Sequence, residues 1–191
     1  MKLHLLLKLC FALLLMLSVA CRSNPANEAM AAESGQGAIA SPTVIYVVRH
    51  AEKDVSDPKN EDPGLTPAGV ERAEALRATL QGQEVGALYT TKYIRTQNTL
   101  KPLAEARQLA LEEYEAHDFN SLKEKILEKH RGETVVIAGH SNTVLPIVEA
   151  FGANRPVPTI LDSSYDFLFK LTVPATGAPT VETSHFGAAS K

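Results

Sequence analysis

The sequence predicts an α/β domain with a mostly parallel, buried sheet. Two β-branched apolar runs, Thr43 to Val48 and Thr134 to Gly139, lack polar alternation. That is the pattern of strands covered on both faces. Strand-like and helix-like segments alternate along the rest of the chain, which is the mark of the α/β class. Each run also ends in a histidine, as Arg49-His50 and as Gly139-His140. Ligands in such sheets bind beyond the carboxyl ends of the strands. Two parallel strands would therefore bring two imidazoles and a guanidinium to one rim.

The N-terminal segment reads as a leader. Lys2 and Lys8 precede an apolar run from Leu9 to Ala20, with Ser18-Val19-Ala20 before Cys21. A charged start, a short apolar core and a small residue at the cut describe a signal peptide. The run is shorter than the roughly 20 residues of a spanning helix. Leu17-Ser18-Val19-Ala20-Cys21 resembles a bacterial lipoprotein signal, with Cys21 as the lipidated residue and a membrane tether. Residues 1–21 are thus expected to be signal, 22–41 a flexible Ala/Ser/Gly-rich tether, and 42–191 the domain. The expected location is exported, in the cell envelope or periplasm. The two cysteines are Cys10 and Cys21, so no disulfide can form within the mature chain. The formal net charge is -3, which gives no basic footprint for nucleic acid. The oligomeric state is not legible.

After the first strand, residues 51–65 form a charged loop. Thr66 and Pro67 suit the cap and first position of a helix whose inner face is Val70, Ala73, Leu76 or Arg77, and Leu80. Gly82 stops it. Val85 to Thr90 is a short strand. Thr91 to Gln108 is a helix with Ile94, Leu100 and Leu103 inward. Arg95 sits near its N-terminus, where free N–H groups favour anions. Leu109 to Glu115 is a third strand, and Ser121 to Arg131 a helix opened by the capping box Ser121-x-x-Glu124 and closed by Gly132. His130, in its last turn, is explained by the helix dipole. Residues 141–151 form a helix carrying Pro146, and 152–164 a proline-containing loop that walls the pocket. Tyr165 to Val173 is a last strand, at an edge. Pro174 to Lys191 is a loose tail with an exposed His185.

Three ordered motifs carry a resemblance. Arg49-His50-Ala51-Glu52 is similar to Arg-His-Gly-Glu. Thr91 to Thr99, with Arg95 at its centre, is similar to Ser/Thr-x-x-x-Arg-Thr/Ala-x-x-Thr. Gly139-His140 is similar to a later Gly-His signature. Together, over about Thr43 to Val173, the chain resembles the histidine phosphatase (phosphoglycerate mutase-like) superfamily. The resemblance implies a three-layer sandwich with helices on both faces of the sheet. It also implies phosphoryl transfer through a phosphohistidine on His50.

Such a reaction needs a nucleophile in line with the leaving oxygen and positive charge on the equatorial oxygens. A neutral imidazole is a nucleophile near pH 7. Arg49 and Arg95 suit bidentate contacts to phosphate oxygens. His140 would stabilise the transferring group, and Glu52 and Asn142 are further phosphate-binding candidates. The general acid is open among Asp118, Glu115 and Glu52, with Asp118 favoured. The phytase-like branch has an Asp directly after its second His, where this chain has Ser141. No cofactor is called for, and the histidine spacings match no zinc site. The expected partner is a small phosphorylated substrate or a phosphoprotein. The expected function is a metal-independent phosphatase acting on phosphate monoesters or protein phosphohistidine. The alternatives are a phosphoglycerate mutase-type phosphotransferase and a non-catalytic phosphate-binding envelope lipoprotein.

Overall fold

A computed structural model describes residues 41–190. The signal reading and nearly all of the tether lie outside the described residues. The ten elements are β1 (Thr43–Arg49), α1 (Pro67–Thr79), β2 (Val85–Thr90), α2 (Ile94–Arg107), β3 (Leu111–Glu113), α3 (Phe119–Lys129), β4 (Thr134–Gly139), α4 (Val144–Ala150), β5 (Phe167–Val173) and β6 (Thr180–His185). They build one six-stranded sheet in the order β3-β2-β4-β1-β5-β6. The β1–β4, β2–β4 and β2–β3 pairs are parallel, and β5 runs antiparallel to both β1 and β6.

The buried strands divide their side chains between two layers, as the period of two requires. Ile45, Val47, Val135, Ile137 and Phe169 face Leu122 and Ile126 of α3 and Val144, Ile147 and Val148 of α4. Tyr46, Val48, Val136, Ala138 and Leu168 face Leu76 and Leu80 at α1 and Leu100, Leu103 and Ala104 of α2. The result is the three-layer sandwich expected, with a mixed sheet. Among the described residues no helix is long and apolar enough to cross a membrane.

Four local expectations are corrected. The inner stripe of α1 is Gly69, Arg72, Ala73 and Leu76, while Val70 is 53% exposed. The stripe is rotated because Glu52 draws Arg72 inward: Arg72 Nε and Nη2 donate to the Glu52 carboxylate at 2.7–3.0 Å. Ile94 is exposed rather than inward, because it is the first residue of α2 and lies at the cleft end of the helix. Helix α3 begins at Phe119, capped by Asp118, which accepts from Ser121 N at 3.1 Å. Asp118 replaces the Ser121 capping box. Finally, β5 is not an edge, and the tail is not loose. β6 pairs with β5 from Phe167↔His185 to Thr172↔Thr180. Its polar Thr180-Val181-Glu182-Thr183-Ser184-His185 has no strand signature, so the backbone pairing of β5 creates it.

Candidate active site

The chain order places the two histidines side by side. β1 and β4 are parallel neighbours, with Arg49 opposite Gly139. The chain leaves β1 towards the α1 face and leaves β4 into α4 on the other face, which opens a crevice at their ends. His50 N donates to Gly139 O at 2.9 Å, and the His50 and His140 ring centroids are 5.4 Å apart. Gly139 allows this approach: a Cβ there would lie 2.8 Å from Thr143 Oγ1, the atom that accepts from His140 N. The cleft is about 840 Å³ and open. It also includes Arg49, Arg95, Asp118 and Asn142.

His50 is buried, and its Nδ1 lies 2.8 Å from Ala51 O. A carbonyl only accepts, so Nδ1 carries the proton and Nε2 of the neutral ring keeps its lone pair. Burial, with Arg49, His140 and Arg95 nearby, pushes the imidazole down to about 3 against the pull of the Ala51 carbonyl. His140 is pushed down to about 4, by burial first and then by Arg95, His117, Arg49 and Lys53. Its Nε2 is 3.2 Å from Thr91 Oγ1, which in turn meets Thr96 Oγ1 at 2.8 Å. Thr91 thus orients the second imidazole, a contact the motif contains but does not explain.

Arg49 is held by its surroundings. Its Nη1 donates to Leu161 O and Asp162 O at 2.9 Å and to Ser164 O at 3.1 Å. The 152–164 loop therefore does wall the pocket. Burial lowers the Arg49 guanidinium from its ordinary value, countered by Tyr165 and Asp162. The Nε atoms of Arg49 and Arg95 are buried with no hydrogen-bond partner among the described residues. Such donors are costly unless something accepts from them. Both side chains line the cleft, so an anion bound there would face their guanidinium groups.

Arg95 also lies 3.5 Å from Asp62, whose carboxylate accepts from Ile94 N at 3.1 Å. The N–H expected to await an anion is thus already capped by a loop acid 32 positions earlier in the chain. Glu52 does not line the cleft. Burial opposes its charge, yet the Arg72 hydrogen bonds win and hold it below its usual value. Glu52 therefore fixes α1 against the post-β1 loop. Asp118 lines the cleft but is exposed, and its carboxylate is held low by Ser121. Glu115 lines the same wall. Lys53, Lys92, Tyr93 and His117 are further cleft residues that the sequence did not single out. Among the described residues, no group of three or more His, Cys, Asp or Glu is arranged to hold a metal ion.

Against this geometry the comparisons are specific. Residues 45–118 match the sequence model of the histidine phosphatase superfamily (branch 1). That span contains Arg49, His50, Arg95 and Asp118, and stops before His140. No curated protein matches the chain significantly. Among solved structures, the protein histidine phosphatase SixA complexed with tungstate is similar at 15% identity and TM-score 0.62, covering 74% of this chain and 96% of that one. YhfR of Bacillus stearothermophilus is similar at 18% identity and TM-score 0.58, covering 75% and 96%. A mycobacterial glucosyl-3-phosphoglycerate phosphatase is similar at 11% identity and TM-score 0.59, covering 78% and 100%. These likenesses show the fold.

Proposed function

We propose that the protein is a histidine phosphatase, a metal-independent hydrolase that passes a phosphoryl group through His50. The observation that carries this reading is the arrangement around one imidazole. His50 is neutral with its Nδ1 proton engaged, so Nε2 is the free nucleophilic atom. Two buried guanidinium Nε groups at the same rim have no acceptor among the described residues. Nε2 attacks phosphorus while the bond to the leaving oxygen breaks, and Arg49 and Arg95 hold the equatorial oxygens. His140 gains a proton more readily once a dianion is beside it, and then stabilises the transferring group. Water hydrolyses the phosphohistidine and restores the neutral ring.

The leaving oxygen needs a proton when it is a poor leaving group. Asp118 is poorly suited, because Ser121 stabilises its ionised form. Glu115 lines the cleft and its carboxyl group makes no hydrogen bond or ion pair among the described residues, so it is free to meet the leaving oxygen and is the better donor. A second substrate class is favoured by the open cleft and by the likeness to the protein histidine phosphatase SixA. Phosphohistidine on a protein departs without an alkoxide and needs no strong acid. The deciding experiment compares nitrophenyl phosphate, an alkyl phosphate and a phosphohistidine protein in the presence of chelator. Glu115→Gln should depress the alkyl ester by about 10²-fold and largely spare nitrophenyl phosphate. Loss of all three activities on chelation, with recovery on adding metal, would contradict the metal-free reading.

The leader supports an exported protein tethered at Cys21. Cys21→Ala should free it from the membrane fraction or leave it unprocessed. Wild-type protein recovered only in the cytosol would end that proposal.

A further inference from the structure

Two tyrosine rings that the chemistry above does not use each touch one arginine and one histidine. Arg95 lies over the Tyr93 ring, with Cζ 4.2 Å from its centroid. The same ring meets His140 edge-on, at 5.3 Å and 90°. Across the cleft, Arg49 lies over Tyr165 at 4.1 Å, and Tyr165 is tilted against His50 at 6.1 Å. We infer that Tyr93 and Tyr165 are positioning residues, each orienting one phosphate-directed guanidinium and one imidazole with a single aromatic ring. The inference rests on the phosphoryl-transfer reading of the site.

Arg49 is fixed at one corner by three carbonyls on Nη1. Those bonds hold the in-plane N–H groups, and a ring face adds a restraint perpendicular to the plane. Arg95 has less support, since its ion pair with Asp62 is 3.5 Å long. Its plane therefore depends on Tyr93. Stacking engages the guanidinium face and leaves the N–H edge free for paired oxygens. The unpartnered Nε atoms lie on that edge. Both rings have anchored backbones: Tyr93 O accepts from Thr96 Oγ1 at 2.7 Å, and Tyr165 N donates to Ser190 Oγ at 2.7 Å. The Tyr93 hydroxyl makes no hydrogen bond among the described residues, so there the ring is what acts; at Tyr165 the phenol oxygen also supports the Arg49 charge.

The test uses the full-length protein with Leu and Phe at each position. Three quantities are read: kcat/KM on nitrophenyl phosphate, inhibition by orthovanadate, and the titration of the histidine rings by NMR. Tyr93→Leu and Tyr165→Leu should each lose about 10- to 30-fold in kcat/KM and in vanadate affinity, the rate equivalent of a desolvated cation–π contact. The Phe variants should rescue both to within about threefold. In Tyr93→Leu the His140 ring, now wetter, should titrate above its value of about 4. Leu variants that keep full kcat/KM, or Phe variants as impaired as Leu, would overturn the inference. A wild type that neither turns over nor binds vanadate would sink the phosphatase reading instead. The ring titration would then decide the positioning role alone: an unmoved His140 in Tyr93→Leu refutes it, and an upward shift upholds it.

Discussion

The neutrality of His50 can be tested by pH alone. In the folded chain the ring is pushed down to about 3, chiefly by burial. At pH 5 a histidine at its ordinary 6.5 is about 97% protonated, and one at 3 is about 1% protonated. The supply of nucleophile therefore differs by roughly 30-fold between the two cases. The stability consequence has a definite sign. The unfolded chain binds this proton at 6.5 and the folded chain does not until about 3. Folding is thus most favourable above pH 6.5 and weakens as pH falls, with the loss complete near pH 3. The full loss from this ring is on the order of 5 kcal/mol if the site does not rearrange. The assay is NMR titration of ring-labelled histidine in the protein alone, which avoids the ionisation of any substrate. His50→Gln identifies the signal. A His50 ring that titrates near 6.5 would refute the reasoning. A ring still neutral at pH 5, with the Nδ1–H tautomer, is the expected result.

Three further outcomes follow from the packing around the cleft. Glu52→Gln should cost about 2 kcal/mol in a denaturant melt, since it weakens a bidentate pair with a nearly buried Arg72. Because Glu52 is held below its ordinary value, that contribution exists above about pH 4.3 and disappears as pH falls through its lower folded value; an equal deficit of the variant at all pH values would contradict this. Gly69→Ala should destabilise by more than the helix gain from Ala, because its Cβ would lie 2.4 Å from Glu52 O; calorimetry showing a raised Tm would disprove it. Asp118→Ala should lower the Tm modestly as a lost helix cap, while alkyl and aryl phosphate turnover change in parallel; a selective loss on alkyl phosphate would return Asp118 to the role of acid.

Much of the architecture was legible because it is carried by local patterns. β1 and β4 are unbroken apolar runs, and burial on both faces is the only stable placement for them. Their histidines follow directly, so the rim containing Arg49, His50 and His140 could be read from strand ends alone. Thr66 and Pro67 likewise marked the start of α1, and Gly69 N does donate to Thr66 Oγ1 at 3.1 Å. What stayed hidden depends on partners far along the chain. Arg72 lies inward because of Glu52, 20 positions away. The Arg49 cage comes from carbonyls more than 110 positions later. β6 exists because β5 offers it an edge, and its own residues carry no alternation. The cap at Asp118 stayed hidden because it depends on where α3 starts, which the Ser121 N contact shows and the sequence does not. The tyrosines were invisible for the same reason, since an aromatic side chain declares no partner in sequence.

Trapping the intermediate decides whether His50 carries the phosphoryl group. Full-length protein is mixed with a labelled phosphate ester, quenched in alkali within a turnover, and digested for mass spectrometry. An acid-labile, base-stable adduct is expected on His50 Nε2, with none in His50→Ala. Label on another residue, or turnover by His50→Ala at the wild-type rate, would contradict it.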